Sequence, residues 1–195
     1  MKILRRILFL GVGALVILSF GTLHAERFPD GGGIVYGDGY AFNLKAPKGW
    51  TLDNSAGVSQ RLNAVFYPNG SNWSDSPIVA YAQSRPKTPA IQTPEDAVKD
   101  TIKRFHADGN SPNYQGTKLK TLKANGGAEA VLYQFSGDQW GNYEVAAYFA
   151  EKDRINFLVM NSRDKKLFDQ NMPAFEELAK SYLPMTASVT SPSKK

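Results

Sequence analysis

Through most of its middle the chain alternates apolar and polar residues with a period of two, the signature of strands. Tyr40, Phe42 and Leu44 fall on one face of a first strand, and Pro47-Lys48-Gly49-Trp50 then turns the chain into Thr51-Leu52. Residues 63–67 and 78–83 read as a strand pair, joined through a polar loop from Pro68 to Pro77. A meander follows over 115–122, 128–135, 143–150 and 154–160, with glycine-rich or charged turns between. Two stretches change to the helical period. In the first, Val98, Ile102 and Phe105 recur on one face. Thr93 is its predicted N-cap, Pro94 its first residue, Asp96 stands three positions after the cap, and Asp108-Gly109 ends it. The second uses Phe168, Met172, Phe175, Leu178, Ala179 and Tyr182. Pro173 interrupts it, which predicts a kink or a fresh helix start near 171–173.

The strands at 143–150 and 154–160 break the alternation in an informative way. Tyr143, Val145, Ala147 and Phe149 oppose Ala146, Tyr148 and Ala150, so both faces are apolar. A half-solvated antiparallel strand carries polar residues on one side. The expected fold is therefore α+β: an antiparallel sheet with helices on both faces, a three-layer α/β/α sandwich.

The ends of the chain differ from its middle. Residues 1–25 combine Lys2, Arg5 and Arg6 with an apolar run from Ile7 to Phe20 and end at Leu23-His24-Ala25. The run is short against the roughly 20 residues of a membrane span. It reads as a secretory signal cleaved after Ala25, leaving no stable membrane span and a secreted product, most simply in a bacterial periplasm. Residues 26–37 read as a glycine-rich, flexible lead-in around a short strand at 34–36, residues 38–184 as one domain, and 185–195 as a polar tail expected to be disordered. The net charge of +5 shrinks once the leader is set aside, to 20 Lys/Arg against 18 Asp/Glu. Such balance leaves no field to hold nucleic acid, and Lys118, Lys120 and Lys123 read as a solvated strand face.

The segment Phe42-x-Leu44-x-Ala46-Pro47-Lys48-Gly49-Trp50-x-Leu52, followed by Ala64-Val65-Phe66-Tyr67-Pro68, a helix opened by Thr93-Pro94-Glu95, a four-strand meander and a last amphipathic helix, resembles the PsbP-like fold. That fold is shared by the photosystem extrinsic protein PsbP and the bacterial envelope protein DcrB. The resemblance implies binding and assembly rather than catalysis. It carries no lipid anchor here, because the chain has no cysteine.

Candidate chemistry is sparse. Without cysteine there is no thiolate nucleophile, disulfide or zinc-finger framework, and no cofactor or metal motif stands out. His106, in the last turn of the first helix, has no nucleophile motif beside it, so no catalytic residue is assigned. Asp75 and Asp138 lie outside any calcium-loop pattern. Glu129, Glu144 and Glu151 sit near strand ends, the remaining basis for a hydrolase. The more informative feature is aromatic: Trp73 with Asp75, and Trp140 with Asp138 and Asn142, in two polar loops. Each ring either anchors a partner or folds back over the sheet edge. If both loops open at one end of the sheet, they frame a single patch. The leading reading is a non-catalytic protein acting on a protein or envelope component; the alternatives are a carbohydrate- or peptide-binding module and a hydrolase. Trp50, at a strand entry, belongs to the core.

Overall fold

A computed structural model describes residues 27–29, 31–107 and 109–185. The leader expected at 1–25 and the tail beyond Met185 lie outside the described residues. Eleven strands and two helices are described: β1 (Arg27–Pro29), β2 (Gly32–Gly37), β3 (Tyr40–Lys45), β4 (Trp50–Asp53), β5 (Ala64–Pro68), β6 (Ile78–Pro86), α1 (Pro94–Ala107), β7 (Gln115–Lys123), β8 (Glu129–Ser136), β9 (Tyr143–Ala150), β10 (Arg154–Ser162), α2 (Lys165–Lys180) and β11 (Leu183–Pro184).

Eight strands form one antiparallel sheet in the order β1-β4-β5-β6-β10-β9-β8-β7. It is two meanders joined edge to edge, because β6 pairs with β10 over nine residues, from Arg154 opposite Pro86 to Ser162 opposite Ile78. A second sheet, β11-β3-β2, was not expected; it forms because the glycine-rich lead-in pairs with β3 and the chain returns after α2 to pair on its other side. Val35 of that lead-in is fully buried.

The doubly apolar central strands are covered on both faces. On one, Phe168, Phe175 and Leu178 of α2, Tyr182 just beyond it, and Phe42 and Leu44 of β3 pack with Phe66, Leu132, Val145, Leu158 and Met160. On the other, Ala97 and Val98 of α1 pack with Phe135, Ala146, Tyr148, Ile155 and Val159. The helices thus cover opposite faces, and α2 shares its face with the second sheet, so the layering is more than one sheet between two helices. Tyr182 anchors that side, its ring 3.9 Å from Phe149 and its hydroxyl donating to Glu151 at 2.8 Å. Trp50 is 4% exposed, as its place in the core requires.

Local signals explain the helix limits. Thr93 and Asp96 satisfy each other's backbone amides, at 3.0 and 3.1 Å, as a capping box does. Asp164 caps α2 by accepting from the Leu167 amide at 2.9 Å. No fresh helix start occurs at Pro173: α2 runs from Lys165 to Lys180 with the proline inside. One missing donor costs less than giving up the burial of Phe175 and Leu178, which lie beyond it. The edge strand β7 is mostly exposed and is broken by a register shift between Lys118 and Lys120, which blunts it against further pairing.

Candidate functional site

Register decides where the two tryptophan loops lie. Ile78 at the start of β6 pairs with Ser162 at the end of β10, and Ser162 pairs with Tyr143 at the start of β9. The β5–β6 and β8–β9 connections therefore open at the same end of the large sheet, where the turn from β10 into α2 also lies. Between them is a polar cleft of about 820 Å³. Ser74 and Ser76 line it from one connection, Asn142 from the second, and Arg163 and Asp164 from the third. The Arg163 guanidinium meets no carboxylate among the described residues.

The expected site residues meet different fates at this end. Trp73 is half-buried, folded back onto Leu62, Val65 and Tyr67. Trp140 is 52% exposed and stands edge-on to Phe105, with ring centres 6.4 Å apart. Asp138 receives both the backbone amide and the side-chain amide of Asn142, at 2.8 and 2.6 Å. Asp75 accepts from the Asn72 side chain at 2.8 Å. Both aspartates thus do turn work, and of these five residues Asn142 alone lines the cleft. Among the described residues no group of three or more His, Asp or Glu side chains is placed to hold a metal ion.

Next to the cleft on the same sheet face, one pleat further along β6 and β10, lies a chamber of about 450 Å³. Tyr81 and Val159 lie on its floor, where Val79 and Asn161 line the cleft. Phe105 and Arg104 of α1 and Tyr114 of the α1–β7 connection form one wall, and Glu144 and Tyr148 of β9 complete the base. The Tyr114 hydroxyl donates to the Glu144 carboxyl at 2.9 Å, and its ring stacks on Phe105 at 4.0 Å. Burial pushes the Glu144 carboxyl up to about 7; the Tyr114 bond opposes this and the charge of Asp138 adds to it. Burial, and next the Glu144 charge, also hold the hydroxyls of Tyr81, Tyr114 and Tyr148 protonated far above the ordinary tyrosine range. At the other side of the chamber Asp100 accepts from both Arg85 and Arg104, each at 3.1 Å.

The strand-end glutamates do not assemble a hydrolase pair. Glu144 and Glu151 lie at opposite ends of β9, about 23 Å apart at the strand rise, far beyond the roughly 5–9.5 Å of paired glycosidase carboxylates. Glu151 accepts from Tyr182 on the α2 side, and Glu129 is exposed at the start of β8. His106 donates through Nε2 to the Tyr114 carbonyl, 2.8 Å away, which ties the helix end to the following loop.

No family model and no curated protein matches the sequence. Solved structures do. LpqN of Mycobacterium tuberculosis, described as involved in cell envelope biogenesis, is 15% identical, with a TM-score of 0.52 over 84% of this chain and 92% of that one. Cyanobacterial PsbP from Synechocystis sp. PCC 6803 is 17% identical, with a TM-score of 0.47 over 89% of this chain and 99% of that one. The likeness to LpqN is a likeness of fold. The architecture is α+β and PsbP-like, as the Ala46-Pro47-Lys48-Gly49-Trp50 segment and the order of elements led us to expect.

Proposed function

We propose that this chain is an extracytoplasmic, non-catalytic protein of the cell envelope that engages a protein or envelope partner through the loop-bearing end of its large sheet. One observation carries the reading. Three connections converge on one open, polar cleft, with Arg163 meeting no carboxylate among the described residues and Trp140 half-exposed in the β8–β9 connection. Binding residues concentrate on loops held by a rigid sheet. Export fits residues 1–25, and LpqN, which shares the fold, is described as acting in envelope biogenesis. No described helix is long and apolar enough to cross a membrane. The carbohydrate or peptide alternative is weaker by one platform, since Trp73 packs against its own domain.

A photo-reactive side chain at Ser74 tests the proposal in intact cells, with Lys118 on the outer edge strand as the control position. A discrete adduct from position 74, lost when Arg163→Glu is added, is the expected result. Equal labelling from both positions, or none from position 74, overturns the reading. The exported form is expected to begin at Glu26 by intact mass, and a retained Met1 would show that the leader is not removed.

A further inference from the structure

We propose that the chamber beside α1 binds a small zwitterion, its ammonium against Glu144 and the tyrosine rings and its phosphate or carboxylate against Arg85 and Arg104. The inference concerns the chamber rather than the cleft and stands whether or not the cleft docks a partner.

The chamber has two poles, each short of a counter-charge. Arg85 and Arg104 share one carboxylate, Asp100, at 3.1 Å each, so that side keeps one net positive charge. Glu144 has a single hydrogen bond from Tyr114 and no cation within ion-pair distance among the described residues. Tyr148 lines the same chamber and feels the charges of Glu144 and of both arginines. Aromatic rings fill the walls: Tyr148 stacks on Phe157 at 5.6 Å and Phe105 on Tyr114 at 4.0 Å. Ring faces around a carboxylate attract an ammonium through both charge and the ring quadrupole. The planar guanidinium fork suits phosphate or carboxylate oxygens. A cation alone leaves the arginine side unsatisfied, and an anion alone leaves Glu144 so. The volume of about 450 Å³ suits a small molecule. A bare divalent ion does not suit it, because hard cations take six or more oxygens, and of the two carboxylates in the lining Asp100 is already held by two arginines.

The charged and titratable groups around Glu144 make binding depend on pH in one direction. Tyr114 bonds it, Asp138 repels its charge, Tyr81 and Tyr148 stay protonated, and the Arg85–Asp100–Arg104 cluster closes the other side of the chamber. Glu144 is thus the group that titrates near neutrality, and an arriving ammonium favours its ionised form. Binding near pH 6.5 must therefore release a proton, and affinity must rise from pH 6 to 8.

Calorimetry on the full chain tests this with glycerophosphoethanolamine, glycerophosphocholine and glycine betaine. Ethanolamine and glycerol 3-phosphate serve as half-ligands. At pH 8 at least one zwitterion is expected to bind ten-fold or more tightly than either half, and ten-fold or more weakly to Glu144→Gln. At pH 6.5, buffers of different ionisation enthalpy should report proton release by the native chain and none by Glu144→Gln. Arg104→Gln should weaken the same zwitterion while keeping the proton release. Competition by phosphatidylethanolamine vesicles, but not phosphatidylglycerol vesicles, would identify a lipid headgroup as the source; binding of the free zwitterion without vesicle competition would identify a soluble one. No binding of any zwitterion at pH 8, half-ligands that bind equally well, or unchanged binding by Glu144→Gln would overturn the proposal.

Discussion

Glu144 makes a quantitative demand on stability even with the chamber empty. Its carboxyl is moved from the ordinary value of 4.5 to about 7, first by burial, so the folded chain holds a proton that the unfolded chain gives up. Stability from this group is complete below about pH 4.5, declines as pH rises, and is gone above about pH 7. At roughly 1.4 kcal/mol per pH step, the full loss is about 3 kcal/mol, trimmed toward about 2 by hydration of the part-exposed residue. Glu144→Gln removes the titration while keeping an oxygen to accept from Tyr114. Urea unfolding at half-unit intervals from pH 4.5 to 8 is the assay. The native chain should lose about 2–3 kcal/mol across that range, and the variant should stay nearly level and be the more stable of the two at pH 8. Parallel profiles for the two chains would refute the account of the buried carboxyl. The carboxylate of Asp53 titrates below this window and does not obscure it.

At the acid end Asp53 governs the opposite limb. Burial alone raises its carboxyl, but bonds from Ser55, Tyr67 and Ala56 outweigh this and hold it below the ordinary 3.8. Its stabilisation is present above about pH 4 and lost as pH falls further, so Asp53→Asn should cost about 2 kcal/mol at pH 7 and flatten the acid limb of the unfolding profile. Trp50→Ala should cost about 3–5 kcal/mol by urea unfolding, Trp73→Ala about 1–2, and Trp140→Ala less than about 1, in step with their burial; an equal cost for all three would contradict the packing. Gly137 has φ +88, and a Cβ there would press on the Asn113 carbonyl oxygen, so Gly137→Ala should cost at least about 2 kcal/mol by the same assay.

Local code made much of the fold legible. The 143–150 strand was read to the residue, and the Thr93-Pro94-x-Asp96 start gave the first helix its N-terminus, because alternation and capping are short-range. The doubly apolar strands correctly required cover on two faces. Other features depend on partners far away in sequence. Ala64 to Phe66 and Ile78 to Ser84 look the same whether β6 ends a sheet or, as here, continues into β10, and no turn residue encodes that junction. The second sheet escaped for the same reason. Glycines at 32 and 33 argue for a flexible lead-in until β3 lies beside them, and Leu183-Pro184 is too short to declare itself a strand.

The chamber was hidden more deeply, although its signal was present. Within 143–150 the only charged side chain is Glu144, and strand parity places it on the same face as Ala146 and Tyr148. A lone acid in phase with a covered face is a conflict between pattern and chemistry, and such conflicts concentrate at functional positions. Reading Glu144 as one of three strand-end carboxylates grouped it by position along its strand, whereas the face decides its environment. Its neighbours then follow from the fold: α1 brings Arg104 and Asp100, β6 brings Arg85 and Tyr81, and the α1–β7 connection brings Tyr114. None of these residues is unusual in its own segment. The arginines read as ordinary polar positions, and Tyr81 and Tyr148 as ordinary strand tyrosines. The loop tryptophans drew the eye because they conflict with their local surroundings, yet one of them found a satellite core and the other an aromatic edge. Glu144 conflicts with its surroundings after folding as well, which is why the chemistry of this protein is better sought there.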